Sequence, residues 1–154
     1  MELRLAEQTP ILFLLMRIDD LTYAIIGAAF KVHSELGPGL LERFYQAAME
    51  IQLAEEGLKV IPQAPVPVFY KGKKLGDDCR MDLLVEDTVI VELKSVEYIP
   101  PVCHKQLLSY LRFANKQVGL LINFNESDLK LGIHRIVNNY VGNSAADIPH
   151  NHKP

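Results

Sequence analysis

Residues 80–94 read RMDLLVEDTVIVELK and carry Asp82, Glu92 and Lys94 inside an otherwise apolar alternation. Carboxylates paired with a lysine suit metal-assisted hydrolysis, provided the fold brings them together. Both halves of the stretch have the two-residue period of strands. With Glu86-Asp87-Thr88 as the loop, Val85 faces Val89, Leu83 faces Val91 and Met81 faces Leu93 on one side. On the other side Leu84 meets Ile90, Asp82 meets Glu92 and Arg80 meets Lys94. A register slipped by one would mix the faces, so the apolar pattern selects this hairpin.

That register sets two like charges opposite each other, with Cβ atoms about 4.5–5.5 Å apart, which is destabilising. A divalent cation would remove the penalty. Hard cations such as Mg²⁺ or Mn²⁺ take carboxylate oxygens and need only one or two from protein. Lys94 falls on the same face, where it would orient or activate a water, or hold a phosphate. The plainer reading is a solvated edge in which Arg80 and Lys94 neutralise Asp82 and Glu92. The facing register and the apolar flanks favour the metal site.

Other side chains gain meaning only beside that pair. Glu42 stands at a helix start, where an acid favours the positive end of the helix dipole by roughly 0.3–1 kcal/mol. Tyr45, three residues on, shares its face and is equally suited to the core. Gln106 and Tyr110 are spaced i,i+4, with Leu107 and Leu111 beside them for packing. They read either as a polar flank or as groups touching a metal-bound water or a phosphate. His33 and His104 are weaker candidates, because a lone histidine is more often simply hydrogen-bonded.

The elements that must position these groups follow from spacing. Residues 19–35 carry Leu21, Ile25, Ala28, Ala29 and Val32 at helical spacing, with Asp19 or Asp20 as the expected N-cap. Gly37-Pro38-Gly39 ends that helix, and a second runs from about Leu40 to Glu56, stopping at Gly57. LKVIP and PVPVFY read as short Pro-bounded strands, and YKGKKLG as a hairpin turn. CRMDLLV and VIVELKSV are strands, residues 102–115 a third helix, QVGLLINF a buried strand, and LGIHRIV a final strand or helix. The order implies an α/β or α+β domain with a mixed sheet and helices against it.

At 154 residues the chain fits one domain, and 49% hydrophobic residues can bury a real core. A net charge of −3 argues against attachment to nucleic acid by bulk charge alone, though not against a local basic patch. Cys79 and Cys103 form no metal motif and read as free thiols in a reducing cytoplasm. The run Ile11–Met16 is far shorter than the roughly 20 residues of a membrane span, so no membrane partner is expected. Met16 is an alternative natural start. We expect an N-terminal extension over 1–17, the domain over 18–141 and a disordered tail over 142–154. His150 and His152 of that tail read as surface histidines.

Gly39-Leu40-Leu41-Glu42-Arg43-Phe44-Tyr45 fits GxxExxY, and the chain resembles the GxxExxY proteins of the PD-(D/E)XK nuclease superfamily. VHSELGPGLLERFY, Asp82, VELKS, HKQLLSYL and GLLINF carry the resemblance, from about Ile18 to Val141. It implies a restriction-endonuclease-like core. It also implies a site of Glu42, Asp82, Glu92, Lys94 and Gln106, with Asp82, Glu92 and the Leu93 carbonyl holding Mg²⁺ or Mn²⁺. Tyr45, Tyr110, Arg80 and His33 are the expected substrate-binding residues. The one departure is Met81, where the superfamily pattern has proline before the aspartate. The activity implied is nucleic-acid hydrolysis, on DNA rather than RNA, with a homodimer expected for duplexes. The alternatives are a catalytically silent nucleic-acid-binding or scaffold protein, and a hydrolase of small phosphate esters.

Overall fold

The computed structural model describes residues 17–140. The Ile11–Met16 run and the C-terminal tail with its two histidines lie outside the described residues.

Helix α1 spans Ile18–Leu36 and buries the stripe Leu21, Ile25, Ala28, Ala29 and Val32 that its spacing requires. Its N-cap is Arg17, not Asp19 or Asp20, and no side chain caps it. The helix simply starts earlier, which puts both acids in its first turn. Asp19 is buried there and pairs with Arg135 at 2.5 Å, tying the helix start to the last strand. At the other end Gly37 and Gly39 take φ of 70° and 99°, a left-handed backbone that costs glycine little. The chain reverses through this break into α2, Glu42–Glu55, two residues later than expected at its start. Tyr45, Met49 and Leu53 form its buried stripe.

Five strands make the central sheet, in the order β1-β4-β5-β6-β7. They are β1 Val60–Val66, β4 Cys79–Val85, β5 Val89–Lys94, β6 Val118–Asn123 and β7 Ile133–Val137. A separate ribbon, β2 Phe69–Tyr70 and β3 Lys73–Lys74, joins β1 to β4. Strand β1 runs through Pro62 and Pro65 instead of stopping at them, which an edge strand tolerates. Strands β5 and β6 are parallel, and α3, Pro101–Phe113, makes the crossover between them. The remaining neighbours are antiparallel. The sheet is therefore mixed and flanked by helices, as the element order implied. The segment LGIHRIV divides into a 3₁₀ turn, Leu129–Gly132, followed by strand β7.

Each face of the sheet has its own core. Leu83, Val85, Val89, Val91 and Leu93 pack with α1 and α2. Leu84, Ile90 and Leu121 pack with Leu107, Tyr110 and Leu111 of α3. Gly119 lets α3 come this close, since a Cβ there would lie 2.9 Å from a methyl of Leu107. Met81 corrects the sequence reading. It belongs to the α3 core with Leu84, not beside Leu83 opposite Leu93. The change of side falls at Asp82 and its neighbour Gln63 on β1, where Gln63 takes φ of 51°. Cys79 and Cys103 are free thiols. No helix among the described residues is long and apolar enough to cross a membrane.

Candidate active site

The β4–β5 ladder pairs Val85 with Val89, Leu84 with Ile90 and Leu83 with Val91, and there it stops. At the next position carboxylates replace backbone groups. The Asp82 amide donates to Glu92 Oε1 at 3.0 Å, and the Leu93 amide donates to Asp82 Oδ2 at 2.8 Å. Backbone N–H groups need partners when buried, and here the two carboxylates supply them. The pairing on the β1 side is broken at the same level, because Gln63 is left-handed. Arg80, exposed on β4, donates from Nη1 to the Gln63 carbonyl at 3.1 Å and fixes that kink. Asp82 and Glu92 thus sit together where the hairpin opens, just beyond the last ladder pair, Leu83 and Val91.

Their electrostatics follow from burial. Glu92 is only 7% exposed, while Asp82 is half-buried. Burial, the neighbouring Asp82 charge and a hydrogen bond between the two carboxyl groups push Glu92 up to about 8. The Asp82 amide and the Lys94 ammonium pull the other way without prevailing. Without a cation, then, the pair keeps a proton near neutral pH. A divalent cation fits the same two groups, because it would replace that proton and cancel the repulsion. Lys94 is half-buried beside Glu92 and has no carboxylate within ion-pair distance among the described residues.

Helix α3 faces the pair. Gln106 is exposed and donates from Nε2 to the Tyr110 hydroxyl at 2.9 Å. Burial and then the charges of Glu92, Cys79 and Asp82 hold the Tyr110 hydroxyl above its ordinary range, which places it within electrostatic reach of both carboxylates. Helix α2 reaches the pair by another route. Gln63 Nε2 donates to Gln46 Oε1 at 2.9 Å and lies 3.5 Å from Asp82 Oδ1. Glu42 is one turn before Gln46 on the same helix face. It is exposed and makes no hydrogen bond among the described residues. Among those residues no three His, Cys, Asp or Glu side chains are gathered as metal ligands, so Glu42 does not join the pair as a third carboxylate.

Two expected substrate-binding residues have other employment. Tyr45 is fully buried and stacks on Phe124 with ring centroids 4.5 Å apart. Its hydroxyl donates to the Gly37 carbonyl at 2.6 Å and accepts from the Leu40 amide at 3.1 Å. Tyr45 therefore holds the Gly-Pro-Gly break in shape and has no surface to offer a substrate. His33 is half-buried with Nε2 2.7 Å from the Glu126 carbonyl, which fastens α1 to the loop after β6. His104 packs edge-to-face on His134 with centroids 5.0 Å apart.

Sequence reasoning passed over several supports. Gln46 and Gln63 look like ordinary surface glutamines. Ser95 Oγ donates to the Leu40 carbonyl at 2.5 Å, joining the end of β5 to the start of α2. Asn123 is 1% exposed. It accepts from the Val96 amide at 3.1 Å and donates to the Val96 carbonyl at 2.8 Å, clamping the chain just past Lys94. A lone amide ending the apolar run VGLLIN was the available signal for that clamp.

A family model described as the PD-(D/E)XK nuclease superfamily matches residues 19–136. No curated protein and no solved structure matches the chain. Nucleases of that superfamily generally use divalent metals, in keeping with the donor chemistry of Asp82 and Glu92. The match runs from the first turn of α1 into β7 and takes in the whole central sheet with its opened hairpin: the chain belongs to the PD-(D/E)XK nuclease superfamily.

Proposed function

We propose that the chain is a divalent-metal-dependent nuclease of the GxxExxY type, hydrolysing phosphodiester bonds in nucleic acid, DNA in preference to RNA. The observation that carries this reading is the opened hairpin. Two carboxylates are driven together at a point where the backbone ladder has been given up, beside a lysine that has no carboxylate partner among the described residues. Asp82, Glu92 and the Leu93 carbonyl would hold Mg²⁺ or Mn²⁺. Such an ion supplies a water that ionises near neutral pH and neutralises charge on a phosphate oxygen.

The chain's own groups have distinct tasks. Lys94 holds the attacking water in line and meets the negative charge that develops on the phosphodiester. Gln106 turns its amide toward the same water or a phosphate oxygen, and Tyr110 sets the angle of that amide. Arg80 steadies the Gln63 kink and offers its remaining donors to the strand. Glu42, exposed at the start of α2, would accept a proton through a second water. Tyr45 and His33 act one step back, fixing the Gly-Pro-Gly break that leads into α2 and the loop after β6. The protein works in a reducing cytoplasm with both thiols free, and a second copy would serve the other strand of a duplex.

The test is cleavage of single-stranded, duplex and branched DNA, and of RNA, with Mn²⁺ or Mg²⁺ against EDTA. Lys94→Ala and Asp82→Asn should each cut the metal-dependent rate by about a thousandfold, the scale of losing a group that meets transition-state charge. Cleavage that survives both substitutions, or wild-type protein that cleaves none of the substrates, would overturn the reading.

A further inference from the structure

The β2–β3 ribbon takes no part in either core, yet its composition is unlike the rest of the surface. Between Val66 and Cys79 the chain leaves the sheet, and residues 69–74 read FYKGKK. The register pairs Phe69 with Lys74 and Tyr70 with Lys73, leaving Lys71-Gly72 as a two-residue loop. Cross-strand partners share a face, so Tyr70 and Lys73 stand together on one side and Phe69 and Lys74 on the other. The two sides differ in charge. Lys74 is neutralised by Asp78 at 2.8 Å. Lys71 and Lys73 have no carboxylate partner among the described residues, and Lys71 Nζ lies 5.4 Å from the centre of the Tyr70 ring. Tyr70 itself is 62% exposed.

The loop adds an independent observation. Lys71 and Gly72 have φ of 48° and 74°, both left-handed. Such loops favour Asn or Gly at the first position, and a lysine there costs stability. A strained position that carries a free ammonium points to a use for the ammonium.

The place of the ribbon says what the use is. Strand β4 begins at Cys79, so the ribbon continues the β1–β4 pair at the end where β5 finishes in Lys94. From Cys79 to Asp82 is about 10 Å along the strand, with Arg80 between them. The chain leads from Lys71 and Lys73 past Asp77 and Asp78, the latter paired with Lys74, to Arg80 and the opened hairpin. An exposed ring flanked by ammonium groups suits a strand whose bases are unpaired, since every base has a face to stack and every phosphate a charge. A closed duplex has no free base face to give it.

We propose that the Tyr70–Lys73 face of this ribbon is a binding arm for single-stranded nucleic acid. Tyr70 stacks on a base, Lys71 and Lys73 take the flanking phosphates, and the strand is led past Arg80 to the carboxylate pair. This rests on the nuclease reading for the destination of the strand, but not for its binding.

The experiment reads binding alone. Anisotropy of a labelled 20-nucleotide single strand and of its duplex is measured in EDTA, so that metal and cleavage play no part. Metal-dependent cleavage by the wild type is followed separately and reports on the nuclease reading. Wild type should favour the single strand. Tyr70→Ala should weaken it about tenfold, the scale of losing one stacked base, and leave the duplex little changed. Lys71→Asn installs the residue the turn prefers, so the melting temperature should hold or rise. Single-strand binding should nonetheless fall, and its salt slope should drop by about 0.7. The arm is overturned if Lys71→Asn and Tyr70→Ala both bind the single strand as wild type does. It is equally overturned if Tyr70→Ala weakens duplex and single strand alike, or if wild type binds neither.

Discussion

The two halves of the β4–β5 hairpin are made from the same alternation and end up differently. In the half next to the turn, Leu83, Leu84 and Val85 meet Val91, Ile90 and Val89 in an unbroken ladder, all buried. In the other half the ladder is absent, and Asp82 and Glu92 bond across the gap to backbone amides. The first half is decided by what lies on its two faces, because each pair must fit a core. The second is decided by what lies between the strands, because two carboxylates cannot pack flat against each other. Burial and the neighbouring Asp82 charge leave that gap favouring a proton on Glu92.

Substitutions should separate the halves. Asp82→Asn and Lys94→Ala should remove metal-dependent cleavage while leaving thermal unfolding nearly in place. Ile90→Ala in the closed half should lower stability by about 3 kcal/mol, through lost burial and the cavity left behind. Its folded fraction should still cleave. Urea unfolding with a parallel cleavage assay checks both. If Ile90→Ala and Asp82→Asn have the same profile, the halves are not distinct.

The open half should also be the pH-sensitive one. Glu92 lies near 8 in the fold against an ordinary 4.5, so the fold favours its protonated form. That stability is fully present below about 4.5 and is lost as pH rises through 8. Metal-free protein should therefore be less stable at pH 8 than at pH 5.5, by on the order of a few kcal/mol, and should melt lower. Glu92→Gln should flatten this dependence, and saturating Mn²⁺ should reverse it. A smaller effect is expected behind the site. Tyr45→Phe leaves the Gly37 carbonyl and the Leu40 amide without their partner, costing about 1 kcal/mol. Faster hydrogen exchange at the Leu40 amide would show it.

The sequence made the closed half legible because both of its faces are apolar and the period of two leaves one register. It also carried the α1 stripe from Leu21 to Val32 and the carboxylate pair, while the α2 stripe of Tyr45, Met49 and Leu53 comes from the structure. Met81 was misplaced because the change of side depends on one left-handed residue, Gln63, and glutamine gives no warning of that conformation. The prolines around it, Pro62 and Pro65, hinted only that β1 could not be a regular central strand. Spacing offers Asp19 or Asp20 as the cap, because local pattern cannot reveal Arg135, more than a hundred positions away and buried with Asp19. Tyr45 could not be divided between core and substrate from its spacing alone. Its hydrogen bonds to Gly37 and Leu40 decide for the core. Glu42 remains apart from the pair, on the helix that it shares with Gln46.

If a divalent cation displaces the proton that Asp82 and Glu92 share, calorimetry reads the exchange. Mn²⁺ is titrated into wild type and Glu92→Gln at pH 7, in two buffers of different ionisation enthalpy. The account predicts about one Mn²⁺ per wild-type chain, with close to one proton released on binding, and no proton release from Glu92→Gln. Absence of binding to the wild type, or binding with no proton released, would contradict it.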